Sequence, residues 1–147
     1  MSDKNLDIEK LKNLQFKIMK DVAASALIPL MRIGDQLGLF QKLSALGPIT
    51  SKKFAEEAKV DERYLREWLY ALSATDFVSY DGEKEEFSLS PEQKAVFADE
   101  EGPANMLGAY EVLAGQVYAE EKVLEAFKTG NGVAYCLLYT SPEPTRH

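Results

Sequence analysis

Residues 48–97 read "PITSKKFAEEAKVDERYLREWLYALSATDFVSYDGEKEEFSLSPEQKAVF", and the punctuation of this stretch decides the fold. Thr50 and Ser51 carry hydroxyl oxygens of the kind that cap helix N-termini. The segment after them, residues 52–58, places Phe54, Ala55 and Ala58 on one face. Asp61 is a second cap, and behind it Tyr64, Leu65, Trp68, Leu69 and Leu72 recur as a helical stripe. Only Lys59-Val60 separates the two segments, which predicts a helix-turn-helix. Two short β-prone runs come next, Phe77-Val78-Ser79-Tyr80 and Phe87-Ser88-Leu89. They flank a polar turn over residues 81–86 that contains Asp81-Gly82. Helix, helix, hairpin is the order of a winged helix.

Working outward, residues 6–27 carry Leu11, Leu14, Ile18 and Val22 at gaps of three, four and four, one stripe of a long amphipathic helix. The stripe has no partner within its own segment, so it must pack on later helices or on a second subunit. Pro29 lacks a backbone donor and should kink or break that helix. A second helix is expected through residues 32–46, ended by Gly47-Pro48. Beyond the hairpin, a short helix should begin at Pro91 and stop before Gly102-Pro103. Residues 104–127 then hold so many apolar side chains that a single helix buried over much of its girth is predicted, with Lys128-Thr129-Gly130 as its stop. The fold class is mainly α: a helical arm over residues 1–32, a winged helix over 33–99, and a connector helix over 102–130.

Composition limits the function classes. The chain has 147 residues, 46% of them hydrophobic and 28% charged, which is a globular composition. The most apolar stretch, residues 22–31, is too short to span a bilayer and contains Ser25 and Pro29, so no membrane association is expected. The N-terminus has no apolar signal core, and the single cysteine, Cys136, allows no internal disulfide, so a cytoplasmic location is expected. The net charge is −7, and residues 52–101 alone hold seven basic against fourteen acidic side chains. Phosphate contacts need a cationic surface. The second helix of the helix-turn-helix offers Arg63 and Arg66 beside Asp61, Glu62, Glu67 and Asp76, and the wing offers Lys84 among four acids. A winged-helix transcriptional regulator binding DNA is the alternative reading, but no nucleic acid partner is expected.

The chemistry-bearing residues are few. Gly130-Asn131-Gly132 is the one Gly-x-Gly, yet a nucleotide loop needs a strand before the glycines and a helix after them. Here a helix comes first, so the glycines read as a helix stop. The only histidine is His147 and the only thiol is Cys136, which leaves no catalytic triad, no Cys-His pair and no His/Cys metal site. Met106 and Tyr110, with Tyr118, form a row on the last long helix that could line a small-molecule pocket, although core packing is the preferred account of the row.

Three pieces of this chain, "RIGDQLGLF", "ERYLREWL" and "SLSPEQKAVFAD", together with "EAFKTGNGVAY", resemble the N-terminal part of a group of class I S-adenosylmethionine-dependent methyltransferases. The resemblance spans residues 6–135. It implies that the long arm and winged helix mediate homodimerisation through the N-terminal helices. It also implies a Rossmann-like catalytic domain downstream, holding S-adenosylmethionine on a glycine-rich loop, with a small-molecule substrate near the helical module and Met106 and Tyr110 as speculative lining residues. No piece of the resemblance is a catalytic motif. No catalytic or cofactor-binding residue is therefore assigned, and the fragment is expected to be inactive. A doubly wound domain takes on the order of 100–200 residues, whereas only twelve follow Tyr135. Those twelve, "CLLYTSPEPTRH" at residues 136–147, continue no helical or strand period and are expected to be a non-native tail.

Overall fold

The computed structural model describes residues 6–134. Its centre is the helix-turn-helix, α4 (Ser51–Ala58) and α5 (Glu62–Ser73). The Thr50 hydroxyl accepts from the Lys53 amide at 3.5 Å, and an Asp61 carboxylate oxygen accepts from the Tyr64 amide at 3.2 Å. Each cap satisfies one of the amides that a helix start leaves unpaired. Between the helices Lys59 adopts a left-handed conformation (φ 57°), which turns the chain within two residues. Phe54, Ala55 and Ala58 from α4 and Leu65, Trp68, Leu69 and Leu72 from α5 are buried together. Tyr64 departs from the predicted stripe and is 76% exposed. Residues advance about 100° each around a helix, which carries Tyr64 off the edge of the face that Leu65 and Leu72 define.

The wing is a three-stranded antiparallel sheet of β1 (Ile49–Thr50), β2 (Ser79–Asp81) and β3 (Glu86–Ser88), ordered β1-β3-β2. Phe87 sits at its centre, opposite both Tyr80 and Ile49. The β2–β3 turn is held by Asp81, whose carboxylate accepts from the amides of Glu83 and Lys84 at 3.0 and 3.3 Å. The strand runs are shifted by one or two residues from the predicted ones, and β1 carries no signal in the sequence because it is only two residues long. After β3, α6 (Pro91–Phe97) starts on a complete capping box between Ser90 and Gln93.

The flanking helices are divided more finely than their periodicity predicts. In place of one arm helix through residue 27, α1 (Ile8–Ser25) and α2 (Leu27–Gln36) meet at Ala26. A proline ring clashes with the carbonyl four residues earlier. For Pro29 that carbonyl belongs to Ser25, where α1 stops, and the missing amide falls harmlessly in the first turn of α2. The helix expected over residues 32–46 is also two: α2 gives way to α3 (Leu39–Leu46) at Gly38, which takes φ 61°. The expected single helix over 104–127 is α7 (Leu107–Tyr118) and α8 (Glu120–Thr129), bent at the buried Ala119. No proline or glycine marks that bend. The expectation that this segment is buried over most of its girth fails as well. Val117, Leu124 and Phe127 are exposed, Phe127 by 86%.

Helix α2 is tied to the rest at three points. The Trp68 indole donates to the Leu30 carbonyl at 2.8 Å. Gly34 lies directly beneath the Trp68 and Phe40 rings, which are themselves 5.1 Å apart. Arg32 reaches α7 through an ion pair with Glu111 at 2.8 Å.

Candidate functional site

Among the described residues, two apolar surfaces stand out once the core is closed. The first is α1, none of whose residues is buried. Leu14, Ile18 and Val22 of the predicted stripe are more than half exposed, and Leu11 is half-buried. In folded proteins most of a helix's stability comes from packing its apolar face, and the apolar face of α1 is left uncovered among the described residues.

The second is a trough of about 800 Å³ between α2 and the α7–α8 elbow. Its wall follows one stripe, Leu113, Gln116, Val117, Glu120, Val123, Leu124 and Phe127, with Ile28 of α2 opposite. The steps of three and four continue straight through the bend at Ala119, so the two helices present a single seam. The sequence reading missed this seam because it merged these residues with the rest of an apolar segment. Stepping by three and four from Leu113 would have separated them.

Beside the trough, Arg32 and Glu111 lock α2 onto α7. The Glu111 carboxylate holds the Arg32 guanidinium's pKa above its ordinary value, outweighing the opposing effect of burial. One turn further along α2, burial pushes the Asp35 carboxyl up, and the negative charges of Glu111 and Glu100 push it further. The predicted pair Met106 and Tyr110 lies at the start of α7 and does not line the trough. Met106 is 54% exposed, while Tyr110 packs against the core and burial raises its phenol pKa.

The other candidate sites resolve locally. Gly130 takes φ 74° and its amide donates to the Ala126 carbonyl at 2.9 Å, which is a helix stop. Among the described residues no group of three or more His, Cys, Asp or Glu side chains can hold a metal ion. The described strands are antiparallel and short, and none feeds a glycine turn that opens a helix, so these residues do not fit S-adenosylmethionine. Cys136, His147 and the predicted non-native tail lie outside the described residues. On the face that a DNA-binding winged helix would use, Arg66 is engaged by Glu62 at 3.1 Å and Lys84 by Asp81 at 3.5 Å. No described helix is long and apolar enough to cross a membrane.

This arrangement recurs in solved methyltransferase structures. The riboflavin-derivative dimethyltransferase RosA from Streptomyces davawensis is 23% identical with a TM-score of 0.59, over 83% of this chain and 34% of that one. Human N-acetylserotonin methyltransferase is 12% identical with a TM-score of 0.61, over 90% and 38%. The S-adenosylmethionine-dependent methyltransferase SibL is 19% identical with a TM-score of 0.51, over 80% and 36%. At these identities the likeness is one of fold, and the chain spans little more than a third of each of these proteins, in their N-terminal part. No curated protein sequence matches the chain. A family model for the Rv2258c-like winged HTH domain matches residues 23–98, from the end of α1 through α6 and over half of the chain. With the winged helix built as described, the chain belongs to the Rv2258c-like winged HTH domain family.

Proposed function

We propose that this chain is the dimerisation and substrate-side capping module of an S-adenosylmethionine-dependent small-molecule methyltransferase whose catalytic domain lies outside these 147 residues. One observation carries the reading. The fold is similar to the N-terminal part of three methyltransferases over 80% or more of this chain, while α1 and the trough stay uncovered. In this proposal residues 1–32 form the dimerisation arm, 33–99 the winged helix and 102–130 the connector toward the catalytic domain. Homodimerisation proceeds through the N-terminal helices, and the enzyme works in the cytoplasm. Met106, exposed at the head of α7, and Tyr110 one turn on would face the substrate side. S-adenosylmethionine would supply the electrophilic methyl group. This module's contribution is to hold the acceptor in place and exclude water, the positional part of catalysis.

A DNA-binding role is not favoured, because Arg66 and Lys84 already face carboxylates and the chain is net −7. The test is the native reading frame beyond Tyr135. It should continue into a parallel α/β domain with a glycine-rich turn, and the extended protein should bind S-adenosylmethionine by calorimetry while the 147-residue chain does not. A native stop codon after His147 would overturn the enzymatic part of the proposal.

A further inference from the structure

We propose that Asn131-Gly132, just past the end of α8, is a site of spontaneous deamidation, where this chain acquires an aspartate or an isoaspartate without any enzyme. This chemistry belongs to the chain itself and goes beyond the function proposed above.

The reaction needs a side-chain amide, a following backbone nitrogen that reaches its carbon, and a backbone free to rotate between them. The Gly132 nitrogen gives up its proton and attacks the Asn131 Cγ. A C–N bond forms, the Cγ–Nδ2 bond breaks and ammonia leaves, which closes a five-membered succinimide. Water then opens the ring at either carbonyl. One opening restores the ordinary backbone with an aspartate side chain, and the other leaves an isoaspartate, whose backbone runs through Cβ and Cγ. The balance is ammonia out and water in, with nothing oxidised or reduced.

A glycine in the second position favours ring closure because no Cβ obstructs the approach. The sequence holds two such pairs, Asp81-Gly82 and Asn131-Gly132, and the structure separates them. At the first, the Asp81 carboxylate is fixed in the β2–β3 turn by the amides of Glu83 and Lys84, with the Lys84 ammonium 3.5 Å away. The amides of Lys84 and Glu83 hold its pKa below the ordinary value, and an ionised carboxylate has no leaving group. At the second, both residues are exposed and lie outside helix and strand. Among the described residues, neither the Asn131 side chain nor the Gly132 amide has a hydrogen-bond partner. The bond from the Asn131 amide to Thr129 Oγ1, at 3.3 Å, holds the chain before the Asn131 Cα. It leaves free the rotation after that atom, which swings the Gly132 nitrogen toward Cγ. The other described asparagines are held. Asn105 donates to the Asp99 carbonyl at 2.9 Å and accepts from the Leu107 amide at 3.0 Å. Asn13 lies inside α1, where the helix ladder fixes its backbone. Deamidation therefore places a new carboxylate, and in the isoaspartate an extra backbone atom, directly behind α8, while the winged helix keeps its covalent structure.

The 147-residue chain, kept in neutral buffer at body temperature and sampled over weeks, should gain one mass unit per molecule. Peptide mapping should place the gain at Asn131, divided between aspartate and isoaspartate. In Gly132→Val the branched side chain crowds ring closure, and the gain should slow roughly tenfold. A Cβ at position 132 meets nothing within 4 Å, so that variant should keep the parent's circular dichroism. A synthetic peptide of residues 128–134 sets the rate for an unrestrained chain. An Asn131 that stays intact in the protein while the peptide deamidates would overturn the proposal, as would a gain located at Asn105 or Asn13, or one that Gly132→Val leaves unslowed.

Discussion

Gly34 is the residue on which the docking of α2 depends. A Cβ built there would lie 2.5 Å from Trp68 Cζ2 and 2.6 Å from Phe40 Cε2, both ring atoms of packed core side chains. Gly34→Ala gains about 1 kcal/mol in helix propensity, but rings that cannot retreat make the overpacking penalty about 3 kcal/mol or more. The variant should therefore be destabilised in urea titrations, and its Trp68 fluorescence should be shifted because the Leu30 hydrogen bond is strained. The neighbouring Asp35 works in the opposite sense. Its folded-state pKa is raised by burial and by Glu111 and Glu100, so the folded chain holds a proton that the unfolded chain releases. Stability from this group is complete below its unfolded pKa and falls as pH rises through the raised value. Asp35→Asn removes that loss. The variant should melt above the parent at pH 7, and the difference should shrink as pH is lowered through the carboxylate range.

At the scale of elements, what could be read from the sequence was whatever had a local chemical cause. The caps Thr50 and Asp61, the helix start at Pro91, the left-handed stop at Gly130 and the Asp81 turn each act within a few residues, so α4, α5, α6 and the wing were predictable. The break at Ala119 and the two-residue β1 depend on tertiary packing, and periodicity carried no trace of them. The trough was hidden for the same reason, since it exists only where α2 is pinned beside α7 through Arg32 and Glu111. Gln93 is a hub that the sequence marks only in part. It completes the capping box with Ser90 at 2.7 Å and also donates to the Asp76 carbonyl at 2.8 Å, joining α6 to the entrance of the wing. Ser90→Ala should cost about 1 kcal/mol, the usual loss of a cap. Gln93→Ala should cost more, because it leaves the Ser90 amide and the Asp76 carbonyl without partners. Chemical denaturation of the two variants side by side checks the order.

For the whole molecule, the decisive asymmetry is between a winged helix that buries its own core and a first helix, α1, none of whose residues is buried. Ile18 sits at the middle of that arm and is 52% exposed. In an isolated chain, Ile18→Asp changes a surface residue and should alter stability by no more than about 0.5 kcal/mol. In a dimer closed through the arm, the same carboxylate is driven into an apolar seam and lacks a partner, which costs several kcal/mol. The two situations are separable because Trp68, in α5 against α2, reports on the folding of the core and lies outside α1. If the arm is the interface, the wild-type melting temperature should rise with protein concentration and that of Ile18→Asp should not, and the variant should sediment as a monomer. The denaturation midpoint followed by Trp68 should match that of the dissociated wild type. Unchanged association in the variant would mean that the exposed face of α1 is not where two chains meet, and that the arm's apolar stripe awaits a different surface.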